Sequence, residues 1–393
     1  MHGEERKGLR LIGHHDLGGF GDGMQPMRHG DVMYVGHFGV SRMGTSILDV
    51  SDPRTPSLIR QWPAPEGAHT HKVQVADGLL CVNHEAFRGG VPQRVGIAVY
   101  SLEDPTNPRE IGFWDSGGKG VHRIVWEGGR FAYVSATPDG FDQRIWVVVD
   151  LTDPSRPVER ARWWWPGMAD GETRDWTPDE TRSVHHAMVR GSRAYLGFWD
   201  SGMVILDIAD LDDIRVVARL TWDVGGHTHT ALPLGDRPIV AVTDEATFED
   251  CQGPPHLVRL VDITDETDPR VRSICPEPAG DYCARGLRYG AHCLHENRPD
   301  SYRSDTLIFA TWFNAGLRVY DTAVADQPTE VGSYVPASPP GQKAIQVNDV
   351  FVDSEMFVHI TDRVSGGLYI LEPEPDLRLL MEQRRTDHPK ESA

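Results

Sequence analysis

The sequence predicts an all-β fold, a seven-bladed β-propeller of four-stranded antiparallel blades, on three observations. A short apolar strand ending in an acidic turn recurs seven times along the 393 residues. Its clear copies are spaced by 52, 49, 57 and 55 residues, from Asp52 to Asp104, Asp153, Asp210 and Asp265. Glycine (40) and proline (28) are both abundant, which calls for many turns and few long helices. A period of this size is about one blade.

The recurring strand occupies residues 46–52, 97–104, 147–153, 204–210, 258–265, 317–321 and 368–372. In each copy it follows a strand that opens near a histidine and a second strand of the Tyr-Val kind (Tyr34, Cys81, Tyr133, Tyr195). An alternating strand such as Arg109–Trp114 comes after it. The Asp-Pro links at Asp52, Asp104 and Asp153 read as turns, because proline presets φ and aspartate caps its own turn. These strands place blades at about 20–62, 63–115, 116–163, 164–222, 223–275, 276–335 and 336–382, in one domain over 1–393. Residues 9–14 read as a detached fourth strand that closes the last blade. Residues 376–380 compete for that place.

A balance of 39 Lys+Arg against 58 Asp+Glu gives a net charge of −19, which argues against nucleic acid or an anionic membrane as partner. The first residues, Met1 to Lys7, carry acids and no apolar core, and no run of eighteen apolar residues exists, so a cytoplasmic location is expected. The five cysteines (81, 251, 275, 283, 293) are too few and too irregular for a disulfide framework. Free thiols are the expectation, with a Cys275–Cys283 pair across a loop as the alternative.

The strands and the acidic, proline-rich turns that follow them resemble the LVIVD-repeat propellers, as in Val204-Ile205-Leu206-Asp207-Ile208. That resemblance covers roughly residues 9–375 and implies a scaffold rather than an activity.

Activity is argued from histidines. Aligned on the Tyr-Val strand, five consecutive repeats carry a histidine at one position: His71, His122, His185, His229 and His292. The other two carry Asn348 and either Met24 or Gln25. The first strand of a propeller blade lines the central channel, so five imidazoles are expected to converge on one point. Clustered imidazoles lose hydration and repel once protonated, whereas a cation bound to neutral imidazole removes both costs. Imidazole suits Fe, Cu and Zn and, less well, Mn, with iron the first expectation. His69 and His227 stand two residues before His71 and His229 in matching His-Thr-His triplets and join the expected metal ligands. Glu85 and Glu245 leave the second strand of their repeats, and with Asn348 and Asp349 they are the expected catalytic groups. His186 and His295 lie nearby without an assigned role. Long connections before His185 and His292 predict a roofed pocket walled by Phe87, Trp176 and Phe248. Arg88, Arg182, Arg285 and Arg288 are its candidate anion contacts.

The histidine ring is similar to that of the carotenoid cleavage oxygenases, which hold one iron with four histidines. By its count and its doublets it is also similar to nitrous oxide reductase and thiocyanate dehydrogenase, which hold copper clusters. These resemblances imply an oxidoreductase or oxygenase acting on a small organic or anionic substrate. The alternatives are a divalent-metal lyase or hydrolase, and a non-catalytic binding propeller.

Overall fold

The computed structural model describes residues 2–39, 42–177, 179–222 and 226–386. They are organised in two compact units, one comprising Met27–Asp49 and Leu58–Thr228, the other the residues up to Pro26, Val50–Ser57 and those from His229 onward. We call these the middle unit and the terminal unit.

Both are built from antiparallel four-strand meanders, as the repeat requires. In the middle unit one sheet runs Gly23–His29, Val32–His37, Met43–Asp49, Ser57–Pro63, its first strand and last strand crossing the unit boundary. A second meander, Val73–Ala76 through Arg109–Asp115, is joined to a third, Gly120–Val125 through Val158–Trp163, by the single pairing of Gly120 with Glu85. The fourth runs from His186–Arg190 to Arg215–Leu220. The terminal unit contains Thr228–Pro233 through Arg270–Ile274, then Leu307–Thr311, Leu317–Asp321 and Thr329–Val335, and then Val347–Val352, Val358–Asp362 and Gly367–Pro373.

The predicted acid-ended strands are third in their repeats, except Leu317–Asp321, which follows Leu307–Thr311 as the second strand of its sheet, and they are buried because both faces pack, as Ile145–Asp150 illustrates with five buried residues of six. The same register shift recurs between the acid-ended strand and the one after it at Val99/Tyr100, Val148/Val149, Ile205/Leu206, Leu260/Val261 and Val319/Tyr320. A bulge kept at one repeat position bends each outer strand in the same way. The acidic turns close as expected: Asp104 Oδ1 accepts the Thr106 N–H at 3.0 Å, and Asp153 Oδ1 and Asp265 Oδ1 accept those of Ser155 and Thr267 at 3.1 and 3.0 Å.

The competition to complete the last sheet goes to the N-terminal segment. Leu9–His15 pairs antiparallel with Gly367–Pro373, and Glu5–Lys7 adds to Thr329–Val335. Residues 376–380 belong instead to the helix Pro375–Arg384, which buries Leu377 and Met381. Proline at its first position suits a helix start and not a central strand.

The cysteine expectation is corrected. Cys251 and Cys283 form a disulfide across a sequence separation of 32, while Cys81, Cys275 and Cys293 are buried free thiols. Both partners sit in inter-strand loops that spacing alone does not bring together. In the chain-entropy account a loop of this size is worth about 4 kcal/mol. The double substitution Cys251→Ser/Cys283→Ser is therefore expected to lower the urea midpoint, and wild type in reductant to match it; an unchanged midpoint would show that the bond adds no constraint.

Candidate metal centre

Within the middle unit the fold gathers His69, His71, His122, His185 and Glu85. His69 ends the short strand Ala68–His69 and is paired in register with Glu85, while the single pairing of Gly120 with Glu85 brings His122 to the same carboxylate. Asn83 fixes the neighbouring backbone. Its Oδ1 accepts the Lys72 N–H at 2.7 Å, and its Nδ2 donates to the Val121 carbonyl at 2.7 Å.

The hydrogen bonds assign different tasks to these rings. Glu85 Oε2 accepts from His69 Nε2 at 2.7 Å and from His122 Nδ1 at 2.8 Å. His69 Nδ1 also faces the Phe38 carbonyl at 3.2 Å. A carbonyl and a carboxylate only accept, so both nitrogens of His69 face acceptors. His122 differs, because donation from Nδ1 leaves the lone pair on Nε2. That atom lies 3.0 Å from His185 Nε2. Two imidazoles bound to one ion at about 2.0–2.1 Å and at angles between 90° and tetrahedral stand about 2.9–3.4 Å apart, so this spacing fits a shared ion. Carboxylate, imidazole and metal in line is a common way of fixing a ligand's tautomer.

The remaining nitrogen of interest is His71 Nε2. With the Asn83 amide fixed as above, its Nδ2 donates to His71 Nδ1 at 3.2 Å, which places the ring hydrogen on Nε2. Nε2 is buried without a hydrogen-bond partner among the described residues. The His71 and His122 ring centroids are 4.9 Å apart.

Burial favours the neutral form of His71 and His122. Burial pushes His71 well below the usual histidine range, aided by His69 and His122. Burial likewise brings His122 down to about 4, with Glu85 opposing and Arg144 and His69 assisting. Burial acts to raise the Glu85 carboxyl, but the charge and hydrogen bonds of His122 and His69 outweigh it and hold the group below its ordinary value.

His185 is oriented by an aromatic that sequence reasoning missed. Trp199 stacks on it at 5.2 Å and 15°, and also stacks on His227 at 4.6 Å and 17°. His227 Nε2 lies 3.4 Å from Asp200. Trp199 has φ 47, an unusual conformation for a bulky residue, set by a turn in which the Phe198 N–H donates to the Gly202 carbonyl. The terminal unit repeats the device. Phe313, with φ 43, stacks on His292 at 4.6 Å, and the Trp312 N–H donates to the Gly316 carbonyl. The parallel segments 197–202 (Gly-Phe-Trp-Asp-Ser-Gly) and 311–316 (Thr-Trp-Phe-Asn-Ala-Gly) were the available signal.

In the terminal unit His229 and His292 are 4.4 Å apart by ring centroids, and His292 Nδ1 donates to the Asn348 carbonyl at 2.8 Å. With Cys293, buried beside them, they form a second potential donor set, in which His292 Nε2 lies 3.9 Å from the thiol. Glu245 Oε1 is 3.8 Å from His292 Nε2. The Asn348 amide is fully buried with both of its polar atoms lacking a hydrogen-bond partner among the described residues. Asp349 accepts the Val350 N–H on its own strand and sits near His295.

Of the expected pocket wall, Phe87 stacks on His69 at 4.5 Å and Arg88 lies over Phe87, while Phe248 is exposed. Trp176 packs against Arg182, and that guanidinium is paired with Asp175 and Glu180. Arg285 pairs with Glu5. Arg182 and Arg285 are therefore neutralised internally, and Arg288 pairs with Glu245 at 3.1 Å.

His186 opens its strand as a buried residue, and His295 is occupied by the Tyr302 carbonyl, 2.6 Å from its Nε2. Burial takes His295 from 6.5 down to about 4, against the Tyr302 carbonyl and Glu296. Because the folded value is depressed, the stability it supplies is complete above pH 6.5 and is lost as pH falls towards 4. The loss is about 1.4 kcal/mol per pH unit. His295→Leu is expected to flatten the fall of the urea midpoint across that window; an unaltered slope would contradict the assignment.

Comparison with known proteins bears on the scaffold. A family model for the LVIVD repeat matches residues 181–215. No curated protein matches the chain. Among solved structures, Raptor from Chaetomium thermophilum is similar over 94% of this chain and 30% of its own, at 12% identity and a TM-score of 0.56. The computationally designed Ika8 protein is similar over 92% of this chain and 89% of its own, at 10% identity and a TM-score of 0.48. Together with the sheets, the repeat match identifies a β-propeller-like repeat fold and leaves activity open. No described helix is long and apolar enough to cross a membrane.

Proposed function

We propose that the chain is a seven-bladed propeller and a metal-dependent oxidoreductase, in which His122 and His185 hold a redox-active ion through their Nε2 atoms. The observation that carries this reading is their 3.0 Å separation, with Glu85 fixing the His122 tautomer. The blade count is supported by seven acid-ended strands, six of them third in their sheets.

His71 is read as a donor whose buried Nε2–H hydrogen-bonds an oxygen of the substrate or co-substrate. His69 is a positioning residue that holds Glu85. Trp199 keeps the His185 ring in plane, and Phe87 covers His69 from water. A bound ion of this kind supplies Lewis acidity and one-electron exchange. Glu85 is engaged by two imidazoles and is not a spare ligand, which favours an imidazole shell over the carboxylate-rich sites expected of a lyase.

Iron and copper both suit imidazole. The Cys251–Cys283 bond supports an oxidising compartment rather than the cytoplasm. Elemental analysis of untagged protein with electron paramagnetic resonance tests the proposal. Stoichiometric iron or copper is expected. Zinc or manganese alone would move the reading to non-redox chemistry, and metal-free protein would leave only a binding propeller.

A further inference from the structure

Three donors meet in the terminal unit, none of them used by the centre proposed above. One nitrogen each from His229 and His292 and the Cys293 Sγ all lie within 4.8 Å of one another, and all three residues are buried. His292 Nε2 stands 3.9 Å from Cys293 Sγ. Nitrogen at about 2.0–2.1 Å and sulfur at about 2.3 Å from one ion, at angles between tetrahedral and trigonal, are about 3.5–3.8 Å apart, so the pair closes on an ion with little movement.

The mounts are fixed by the chain itself. The His292 N–H donates to the Thr311 carbonyl and the Thr311 N–H to the Cys293 carbonyl, both at 2.9 Å. The Thr311 hydroxyl accepts the Cys293 N–H at 3.0 Å and donates to the Asn348 carbonyl at 3.0 Å. That same carbonyl accepts from His292 Nδ1 at 2.8 Å, which in the neutral ring places the lone pair on Nε2, the atom nearest the thiol. The Thr230 hydroxyl meets His229 Nδ1 at 2.7 Å, so Nε2 is the nitrogen left to coordinate. Phe313 stacks on His292 at 4.6 Å and 21°, as Trp199 does on His185. Donors held this way before an ion arrives lose little freedom on binding it.

Asn348 is an independent sign of a ligand. Its amide is fully buried, and neither polar atom has a hydrogen-bond partner among the described residues. The strand register shifts at Asn348, between Val347 and Asp349, as it does at His122, between Val121 and Arg123. A bulge re-aims one side chain, so Asn348 takes in its sheet the place that His122 takes in its own. A buried amide left unmet by the protein is costly unless a ligand, or water carried by it, meets the need.

Thiolate with imidazole selects soft ions, and charge narrows the choice further. Glu245 Oε1 lies 3.8 Å from His292 Nε2, and the Arg288 and Arg363 guanidiniums lie 3.1 and 3.9 Å from the same oxygen. A monovalent ion bound to one thiolate is neutral and leaves those ion pairs undisturbed, whereas a divalent ion adds a buried positive charge. We propose that His229, His292 and Cys293 bind one cuprous ion, with Cys293 as thiolate and its proton released to solvent. The inference does not rest on the His122–His185 centre, whose proposed ligands are imidazoles only.

The experiment is anaerobic titration of full-length His122→Ala/His185→Ala protein with ascorbate-reduced copper against a chromogenic cuprous chelator, followed by X-ray absorption at the copper edge. One cuprous ion per chain with a sulfur neighbour is expected. Adding Cys293→Ser is expected to weaken binding about tenfold or more and to remove the sulfur signal. Cys293→Ala, which puts no hydroxyl into the buried site, is expected to do the same, while Cys275→Ser, at another buried thiol, changes neither quantity. Circular dichroism verifies that each variant is folded. A folded double variant that binds no cuprous ion would overturn the proposal, as would an affinity and a sulfur signal indifferent to both Cys293 substitutions. Zinc bound as tightly as the cuprous ion would overturn the monovalent assignment. Because both ligands of the other centre are replaced throughout, failure of that centre leaves these outcomes unchanged.

Discussion

Replacing His122 with alanine is expected to reduce bound metal to background while leaving the fold intact. The side chain contributes Nε2, which lies 3.0 Å from His185 Nε2, and its removal takes away one of the two proposed imidazole ligands. His185→Ala is expected to do the same. Strand Gly120–Val125 keeps its pairing with Phe131–Thr137 in either variant, since the imidazole takes no part in that ladder. Glu85→Gln tests a different step. The amide is isosteric but releases the constraint on the His122 tautomer, so affinity is expected to fall about 10–100-fold rather than vanish. Metal content by elemental analysis, paired with far-ultraviolet circular dichroism, separates loss of ligand from loss of fold. Full occupancy in His122→Ala would show that this nitrogen holds nothing.

Deletion of residues 2–15 is expected to have the largest effect on stability. It removes Leu9–His15, leaving Gly367–Pro373 with an unpaired edge, and Glu5–Lys7, leaving Thr329–Val335 the same. At about 1 kcal/mol per inter-strand hydrogen bond, losing both ladders takes a large part of the roughly 5–15 kcal/mol that separates folded from unfolded chains. Leu9, fully buried, and the contacts of Glu5 with Arg285 and Tyr282 go as well. Aggregation on expression or a much lower melting temperature is expected, because exposed edges template further pairing. A truncated chain that melts within a few degrees of the full one would show that the N-terminal strands are dispensable.

Why these features were or were not legible follows from their range in sequence. The acid-ended strands and Asp-Pro turns are local, each encoded in five to eight consecutive residues, and they fold as read. The strand at 9–14 was legible as a detached fourth strand, but so was its competitor at 376–380. That competitor is resolved by Pro375, a helix-start signal that the strand-like alternation of Leu377 and Leu379 had masked.

The site is legible in its residue types but not in its assignments. Histidines at one repeat position identified which side chains belong to the clusters, whereas the role of each ring depends on what its second nitrogen meets. His69 Nδ1 meets the Phe38 carbonyl, and His227 stacks on Trp199; neither neighbour lies at a helical or strand spacing from its histidine. The Cys251–Cys283 bond joins two loops whose approach depends on tertiary packing, so cysteine spacing carried no signal for it.

A crystal of untagged protein, measured above and below the absorption edge of the metal found by elemental analysis, addresses the central claim most directly. The account predicts an anomalous peak about 2.0–2.3 Å from both His122 Nε2 and His185 Nε2, with the Glu85 carboxylate still on His122 Nδ1. Ordered water alone at that position, or a direct hydrogen bond between the two imidazoles in metal-replete crystals, would contradict it.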